Sequence, residues 1–136
     1  MKRMMFIISM MLIAAVAAAD EQPAGKRFVA TIDKDGYQRV EMTAGEYYFD
    51  PSVVAVKVNV PVELTIKKTG GMTPHNFTIK APEAGLDFTI DISSEPKKVS
   101  FMATKTGSYP FECSKQFLFF KSHKDRGMHG VLEVVE

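Results

Sequence analysis

The sequence of 136 residues predicts an all-β domain, built as a sandwich or barrel of about seven or eight strands. From Arg27 onward no apolar stripe with helical spacing reaches a useful length, whereas short β-rich runs recur between turn signals. Residues 62–67 alternate between apolar and polar side chains, which is the period of a half-buried strand.

The predicted strands follow one another closely along the chain. Residues 33–36 close the first strand, residues 59–61 separate the second from the third, and Gly70-Gly71 forces a turn after the third. The short run 47–49 leads into Asp50-Pro51. We place strands at 28–32, 53–58, 62–67, 76–80, 86–92, 98–103, 107–113 and 131–135. The chain contains no internal repeat and no sign of a second domain.

Residues 1–19 have the pattern of a secretory signal peptide. Lys2 and Arg3 form a basic start, and the apolar stretch that follows is interrupted only by Ser9 before it ends in three alanines. A membrane anchor is the alternative, but the stretch is shorter than the ~20 residues that a spanning helix needs. We therefore expect cleavage after Ala19.

This leader sets the expected domain organisation. Residues 20–26 read as a flexible leader because they are polar and contain proline and glycine, and one domain then fills 27–136. We expect the protein to be periplasmic, with no stable membrane insertion after cleavage.

Composition excludes general nucleic-acid binding and any chemistry that needs two cysteines in one chain. Seventeen Lys and Arg against sixteen Asp and Glu give a formal net charge of +1, so no overall field attracts a nucleic-acid backbone. The single cysteine, Cys113, excludes an internal disulfide and any two-cysteine metal centre or redox pair within one chain.

The residues that carry chemistry lie in the second half of the chain. The three histidines of the chain, His75, His123 and His129, all lie there. Cys113 ends a predicted strand, and His123 and Met128 follow it. One thiolate, two imidazoles and a thioether are the ligand set of a mononuclear copper site, trigonal in two nitrogens and one sulfur with a weak axial sulfur. Thiolate and thioether suit Cu(I) and imidazole suits both oxidation states, so such a site favours rapid one-electron transfer.

Over roughly residues 49–136 the sequence resembles the cupredoxin family, the small blue copper proteins of the plastocyanin, pseudoazurin and azurin type. The resemblance rests on four segments: Phe-Asp-Pro at 49–51, Thr-Pro-His-Asn-Phe at 73–77, Gly-Ser-Tyr-Pro-Phe-Glu-Cys at 107–113, and 123–130 with Gly-Met-His-Gly. It implies a Greek-key β-sandwich, in agreement with the strand count.

The resemblance also implies roles for particular residues. His75, Cys113 and His123 correspond to the equatorial copper ligands, and Met128 corresponds to the axial ligand. The backbone N–H of Asn76 is expected to donate to the Cys113 sulfur, and the Asn76 side chain to hold the ligand loop through Ser114. Such outer contacts orient ligands and tune the potential.

One spacing departs from the family pattern. About two to four residues separate the cysteine from the second histidine in familiar members, whereas residues 114–122 separate them here. A longer loop can loosen the copper geometry or admit another ligand, as in nitrosocyanin, a red copper relative with an open coordination position. His129 is the alternative to Met128 as a ligand, and Met72 is expected to pack rather than to bind metal.

The inserted segment suggests a docking surface. Residues 117–120 read Phe-Leu-Phe-Phe, which either adds to the core or forms an apolar collar around His123 where a redox partner docks. Residues 114–129 contain four basic residues and one acidic residue, and this excess of positive charge would favour a partner with an acidic docking surface. The basic residues are Lys115, Lys121, Lys124 and Arg126, and the acidic residue is Asp125.

These observations predict an exported, monomeric electron carrier that cycles one copper ion between Cu(I) and Cu(II) and is not an enzyme. Its partner would be another redox protein. One alternative is a copper carrier or chaperone that uses the same ligands for delivery. Another is a nitrosocyanin-like open copper centre that binds a small ligand, and a metal-free structural sandwich is the third.

Overall fold

The computed structural model describes residues 26–116 and 120–136. Its regular secondary structure consists of β-strands and one short 3₁₀ turn at Pro82–Ala84. Its ten strands are β1 (Arg27–Val29), β2 (Gln38–Gly45), β3 (Tyr48–Asp50), β4 (Val53–Lys57), β5 (Val62–Lys68), β6 (His75–Ala81), β7 (Leu86–Ile92), β8 (Lys97–Phe101), β9 (Gly107–Glu112) and β10 (His129–Val135).

The strands form two sheets. The larger sheet has the order β1-β4-β10-β9-β6-β7 and the smaller one the order β3-β2-β5-β8. Three neighbouring pairs are parallel, namely β1 with β4, β4 with β10 and β2 with β5, and the remaining pairs are antiparallel. The predicted all-β sandwich is confirmed.

Strands β2 and β3 are not among the eight strands placed from the sequence, and they account for the observed number of ten. Strand β2 is the longer of the two. It lies inside the smaller sheet, paired with β3 on one side and β5 on the other. Its alternation was readable, because Val40, Met42 and Ala44 are buried while Arg39 and Glu41 are exposed. The strand was missed because Gln, Glu, Ala and Gly have low β-propensity, and here pairing on both sides outweighs that preference.

The limits of other strands differ from the prediction by a few residues. Strand β1 ends at Val29, and Ile32 makes only a single bridge to Gln38. Strand β10 begins at His129, earlier than predicted, because the chain pairs with β9 immediately after the preceding turn.

An aromatic cluster joins the two sheets at one end of the core. The rings of Phe77 on β6 and Phe111 on β9 stack with centroids 4.8 Å apart, and Phe49 on β3 meets both edge to face. Gly130 permits this packing, because a Cβ at that position would overlap the Phe111 ring and the Ser52 carbonyl. The cluster fixes β6 and β9 relative to each other, and both strands lead into the candidate site.

The predicted signal peptide, most of the predicted leader and residues 117–119 of the apolar run lie outside the described residues. No helix within 26–116 or 120–136 is both long and apolar enough to cross a bilayer.

Candidate metal centre

Strands β6 and β9 direct two candidate ligands into the sandwich. The register pairs Ile79 with Phe111, so continuing it past the end of β9 places Phe77 opposite Cys113. Alternate residues of a strand share a face, and His75 therefore points to the same interior side as Phe77. The period of the strands thus brings an imidazole and a thiol to one end of the core.

The histidine and cysteine side chains converge there with His123. The Nδ1 atoms of His75 and His123 are 3.2 Å apart, and Cys113 Sγ lies 3.4 Å from Nδ1 of His123. All three residues are at most 5% exposed. The structure therefore brings three of the four predicted ligands around one shielded point, where their ligand atoms lie within 4.8 Å of one another.

A tight turn carries His123 and leads to Met128. The His123 carbonyl accepts hydrogen bonds from the N–H groups of Arg126 and Met128 at 3.2 and 3.0 Å. The Met128 carbonyl accepts from the N–H of Cys113 at 3.0 Å. Met128 is completely buried, and its backbone joins the cysteine end of β9 to the histidine turn.

Asn76 links the two halves of the site. Its backbone N–H donates to Cys113 Sγ at 3.4 Å. Its side-chain Nδ2 donates to Ser114 Oγ, and its Oδ1 accepts from the Ser114 N–H, both at 2.8 Å. Both contacts implied by the family resemblance are thus present, and they close the gap between β6 and the chain beyond β9 where backbone pairing has stopped.

Burial keeps both imidazoles in the neutral form that binds metals. Desolvation lowers the pKa of His75 from 6.5, and the neighbouring His123 acts in the same direction. Desolvation also lowers the pKa of His123, with the positive charge of Arg126 as the next cause. A neutral imidazole keeps one of its two ring nitrogens unprotonated, and that nitrogen can bind a metal ion.

The donor set fits a soft first-row metal ion. With bond lengths of about 2.0 Å to imidazole nitrogen and about 2.3 Å to thiolate sulfur, ligand atoms about 105–120° apart are separated by about 3.2–3.7 Å. The observed 3.2 and 3.4 Å match this spacing. Nε2 of His75 is buried without a hydrogen-bond partner among the described residues, whereas its Nδ1 lies 3.2 Å from Nδ1 of His123.

Tyr47 and Arg126 complete the surroundings of the two imidazoles. The Tyr47 ring meets His123 and His75 edge to face, at centroid distances of 5.1 and 6.1 Å. The Arg126 guanidinium lies 4.8 Å over the Tyr47 ring. These contacts of Tyr47 and Arg126 could not be predicted from the sequence, because no residue spacing connects the β2–β3 turn with the histidines.

Other residues considered from the sequence lie away from the ligand atoms. His129 is exposed at the start of β10 and is not part of the His75, Cys113 and His123 cluster. Met72, which was expected to pack, is instead 98% exposed on the loop before β6, so this prediction was wrong. Glu112, which precedes the cysteine, forms an ion pair with Lys124 at 2.8 Å rather than facing the cluster.

A cavity of about 530 Å³ adjoins the outer side of His123. Tyr47, Met72, Pro74, Lys121 and Arg126 are among the residues that line it. Phe120 also lines it and is 58% exposed.

The charge around this cavity is partly neutralised. Lys115 pairs with Asp91 at 3.3 Å, and Lys124 pairs with Glu112. The local positive excess expected from residues 114–129 is therefore reduced by acidic residues of β7 and β9. Lys121 and Arg126 remain as basic residues on the cavity wall.

Sequence comparison identifies one family. The family model described as a cupredoxin-like domain matches residues 3–132. No curated protein sequence matches the chain.

Several solved structures share the fold. The metal-binding domain of the Cu(I)-exporting P-type ATPase CopA of Streptococcus pneumoniae D39, solved with Cu(I), is 18% identical with a TM-score of 0.62, covering 82% of this chain and 98% of that chain. Dithionite-reduced auracyanin from the photosynthetic bacterium Roseiflexus castenholzii is 21% identical with a TM-score of 0.57, covering 72% and 97%. The periplasmic domain of cytochrome oxidase subunit II of Bradyrhizobium japonicum is 20% identical with a TM-score of 0.54, covering 72% and 83%.

Proposed function

Because this chain belongs to the cupredoxin-like family, we propose that it binds one copper ion and acts as an exported one-electron carrier between redox partners. The observation that carries the proposal is the convergence of one thiol and two imidazole nitrogens inside the sandwich. Thiolate and imidazole together suit both Cu(I) and Cu(II). One similar structure contains Cu(I), which supports copper as the bound ion.

The proposed ligands are His75, Cys113, His123 and Met128. The first three supply the close, strong bonds. The axial position is assigned to Met128 because its backbone is hydrogen-bonded to both Cys113 and His123, and because its side chain is fully buried. A bound copper ion would supply the one-electron redox chemistry, and the protein would supply the geometry.

Rigidity of the surroundings suits electron transfer. Cys113 is held by the Asn76 N–H at its sulfur and by the Met128 carbonyl at its own N–H. His123 sits in a turn whose carbonyl accepts two backbone hydrogen bonds. Ligands restrained in this way move little when the charge of the ion changes, and burial keeps bulk water from the centre.

The outer side of His123 is the proposed route for electrons. The cavity beside this residue contains apolar side chains such as Pro74 and Phe120, and basic side chains such as Lys121 and Arg126. An apolar surface with a charged rim is typical of transient interfaces, and its basic groups favour a partner with an acidic surface. Association should therefore weaken as the salt concentration rises.

Export is proposed from the sequence of residues 1–19. The basic start, apolar stretch and terminal alanines are typical of a signal peptide. Cleavage after Ala19 would leave the leader of 20–26 and the domain of 27–136 in the periplasm. N-terminal sequencing of the protein recovered from a periplasmic extract tests this step, and recovery of an uncleaved chain in the membrane fraction would contradict it.

A copper carrier is the second candidate, and exposure of Met72 favours it. A thioether that is 98% exposed beside the cavity wall is unusual for methionine, and it is a soft ligand for Cu(I). A carrier of copper should release its metal to a competing Cu(I) chelator within minutes. An electron carrier should retain the metal through many cycles of reduction and oxidation.

Spectroscopy of the copper-loaded protein tests the proposed function. An intense visible band from thiolate-to-Cu(II) charge transfer should appear in the wild-type protein and disappear in Cys113→Ser, which retains a similar shape. The control is Ser100→Ala on the exposed surface of β8, which should keep the band. A wild-type protein that binds no copper, or binds it without this band, would refute an electron-transfer centre, and a spectrum altered by azide or nitrite would favour an open coordination position.

A further inference from the structure

The backbone of Tyr47 is strained. Its φ of +62° lies in the left-handed region, which the Cβ of an ordinary side chain disfavours. Glycine would occupy this turn between β2 and β3 without cost. Strained positions of this kind are retained where the side chain contributes something the fold or the site requires.

The Tyr47 ring closes a triangle of aromatic rings. His75 and His123 meet each other with centroids 5.0 Å apart and an interplanar angle of 67°. Tyr47 meets both of them at angles of 81° and 71°. Mutual edge-to-face contacts restrict how far each imidazole can turn about its χ2 angle. The ring of Tyr47 therefore favours the orientation in which the two Nδ1 atoms face each other.

Arg126 fixes Tyr47 from the turn that carries His123. Its guanidinium lies over the Tyr47 ring, and its N–H donates to the His123 carbonyl at 3.2 Å. The adjacent Gly127 has a φ of +103° and passes close to the Tyr47 carbonyl. The β2–β3 turn of the smaller sheet is therefore in contact with the turn that carries His123.

We infer that Tyr47, held in place by Arg126, is a positioning residue that keeps the imidazoles of His75 and His123 turned toward a shared metal ion and covers them on the cavity side. The inference rests on the proposed copper site. Arg126 has a second consequence, because a nearby positive charge favours the lower oxidation state of the ion. Tyr47 and Arg126 therefore affect both the orientation of the two imidazoles and the reduction potential of the bound ion.

The unusual backbone of Tyr47 allows a clean test. Tyr47→Gly removes the ring but suits the left-handed backbone, so the variant should fold. Asn59→Gly is the matched control, because Asn59 has a φ of +58° and lies in the β4–β5 turn at the opposite end of the sandwich. Tyr47→Phe keeps the ring and removes only the hydroxyl.

Copper affinity and ligand access are measured on these variants. Tyr47→Gly should lose about 10- to 100-fold in copper affinity, as expected when a group that orients a ligand is removed, and its Cu(II) spectrum should become sensitive to azide. Tyr47→Phe and Asn59→Gly should behave as the wild type. Equal affinity and equal azide insensitivity in Tyr47→Gly would overturn the inference.

The role of Arg126 is measured by the reduction potential. Arg126→Gln removes the charge without adding a metal ligand of the thioether type, so the potential should fall. Lys121→Gln removes the same charge from the same cavity wall without touching the tyrosine contact, and it should change the potential and the azide response less. Equal shifts in the two variants would show that Arg126 acts only as a general charge.

A measurement without copper separates this inference from the proposed function. In the copper-free protein, nuclear Overhauser contacts between the His75 and His123 rings should be present in the wild type, Tyr47→Phe and Asn59→Gly, and lost in Tyr47→Gly. Retained contacts in Tyr47→Gly would refute the positioning role even if copper binds. A wild-type protein with these contacts but no copper binding would refute the proposed function and leave the ring-orienting role supported.

Discussion

Replacing Asn76 with alanine removes two hydrogen bonds that join β6 to the chain beyond β9. Both are 2.8 Å long, and the Asn76 side chain is buried while Ser114 is exposed. Each bond contributes about 1 kcal/mol net, and water can reach the freed groups of Ser114. We expect Asn76→Ala to lower the free energy of unfolding of the copper-free protein by about 2 kcal/mol. Ser114→Ala, which removes one of the two bonds, should lower it by about 1 kcal/mol.

A double-mutant cycle tests whether these bonds carry the effect. The double variant should lose about 2 kcal/mol rather than the about 3 kcal/mol of independent sites, because the bond to the Ser114 hydroxyl is lost only once. Urea unfolding followed by far-ultraviolet circular dichroism provides the measurement, and Ser100→Ala on the exposed surface of β8 is the control. Additive losses, or a loss below about 0.5 kcal/mol in Asn76→Ala, would refute this reasoning.

Three further outcomes are expected. Met128→Leu should retain copper but raise its reduction potential, because a weak donor to Cu(II) is removed; loss of copper in a titration would show a stronger bond than proposed. Burial lowers the folded-state pKa of His75 and His123 below the unfolded value of 6.5, so the unfolded chain binds more protons in acid. The copper-free protein should therefore be most stable above about pH 6.5 and lose stability as the pH falls below it; a urea midpoint that is unchanged between about pH 7.5 and pH 5.5 would contradict this. Gly130→Ala should destabilise the protein by about 1–3 kcal/mol, because the added Cβ overlaps the Phe111 ring; thermal unfolding checks this, and an unchanged midpoint would contradict it.

Sequence patterns predicted the parts of the fold in which local preference and burial agree. Strand β7 was predicted with its observed limits, and β5 was predicted to within one residue, because β-branched and apolar residues alternate there with polar ones. Strand β2 was missed, although it is among the longest, because its composition disfavours a strand and only pairing on both sides makes it one.

The sequence likewise predicted some residues of the candidate site and not others. The side-chain chemistry indicated a copper site of thiolate and imidazole donors, and the resemblance of the flanking segments to the cupredoxin family selected His75, Cys113 and His123 as its ligands. Tyr47 and Arg126 were not selected, because their positions depend on a strained turn and on the packing of two sheets. The strained turn and the sheet packing arise only in the folded chain, and no residue spacing predicts them.

The most direct test of a copper centre built by His75, Cys113 and His123 is anomalous diffraction at the copper absorption edge, on crystals of the copper-loaded protein. One strong peak is expected inside the sandwich, within about 2.0–2.3 Å of Cys113 Sγ and of both Nδ1 atoms. A peak at His129 or at the exposed Met72 loop, with none between these three side chains, would contradict the account.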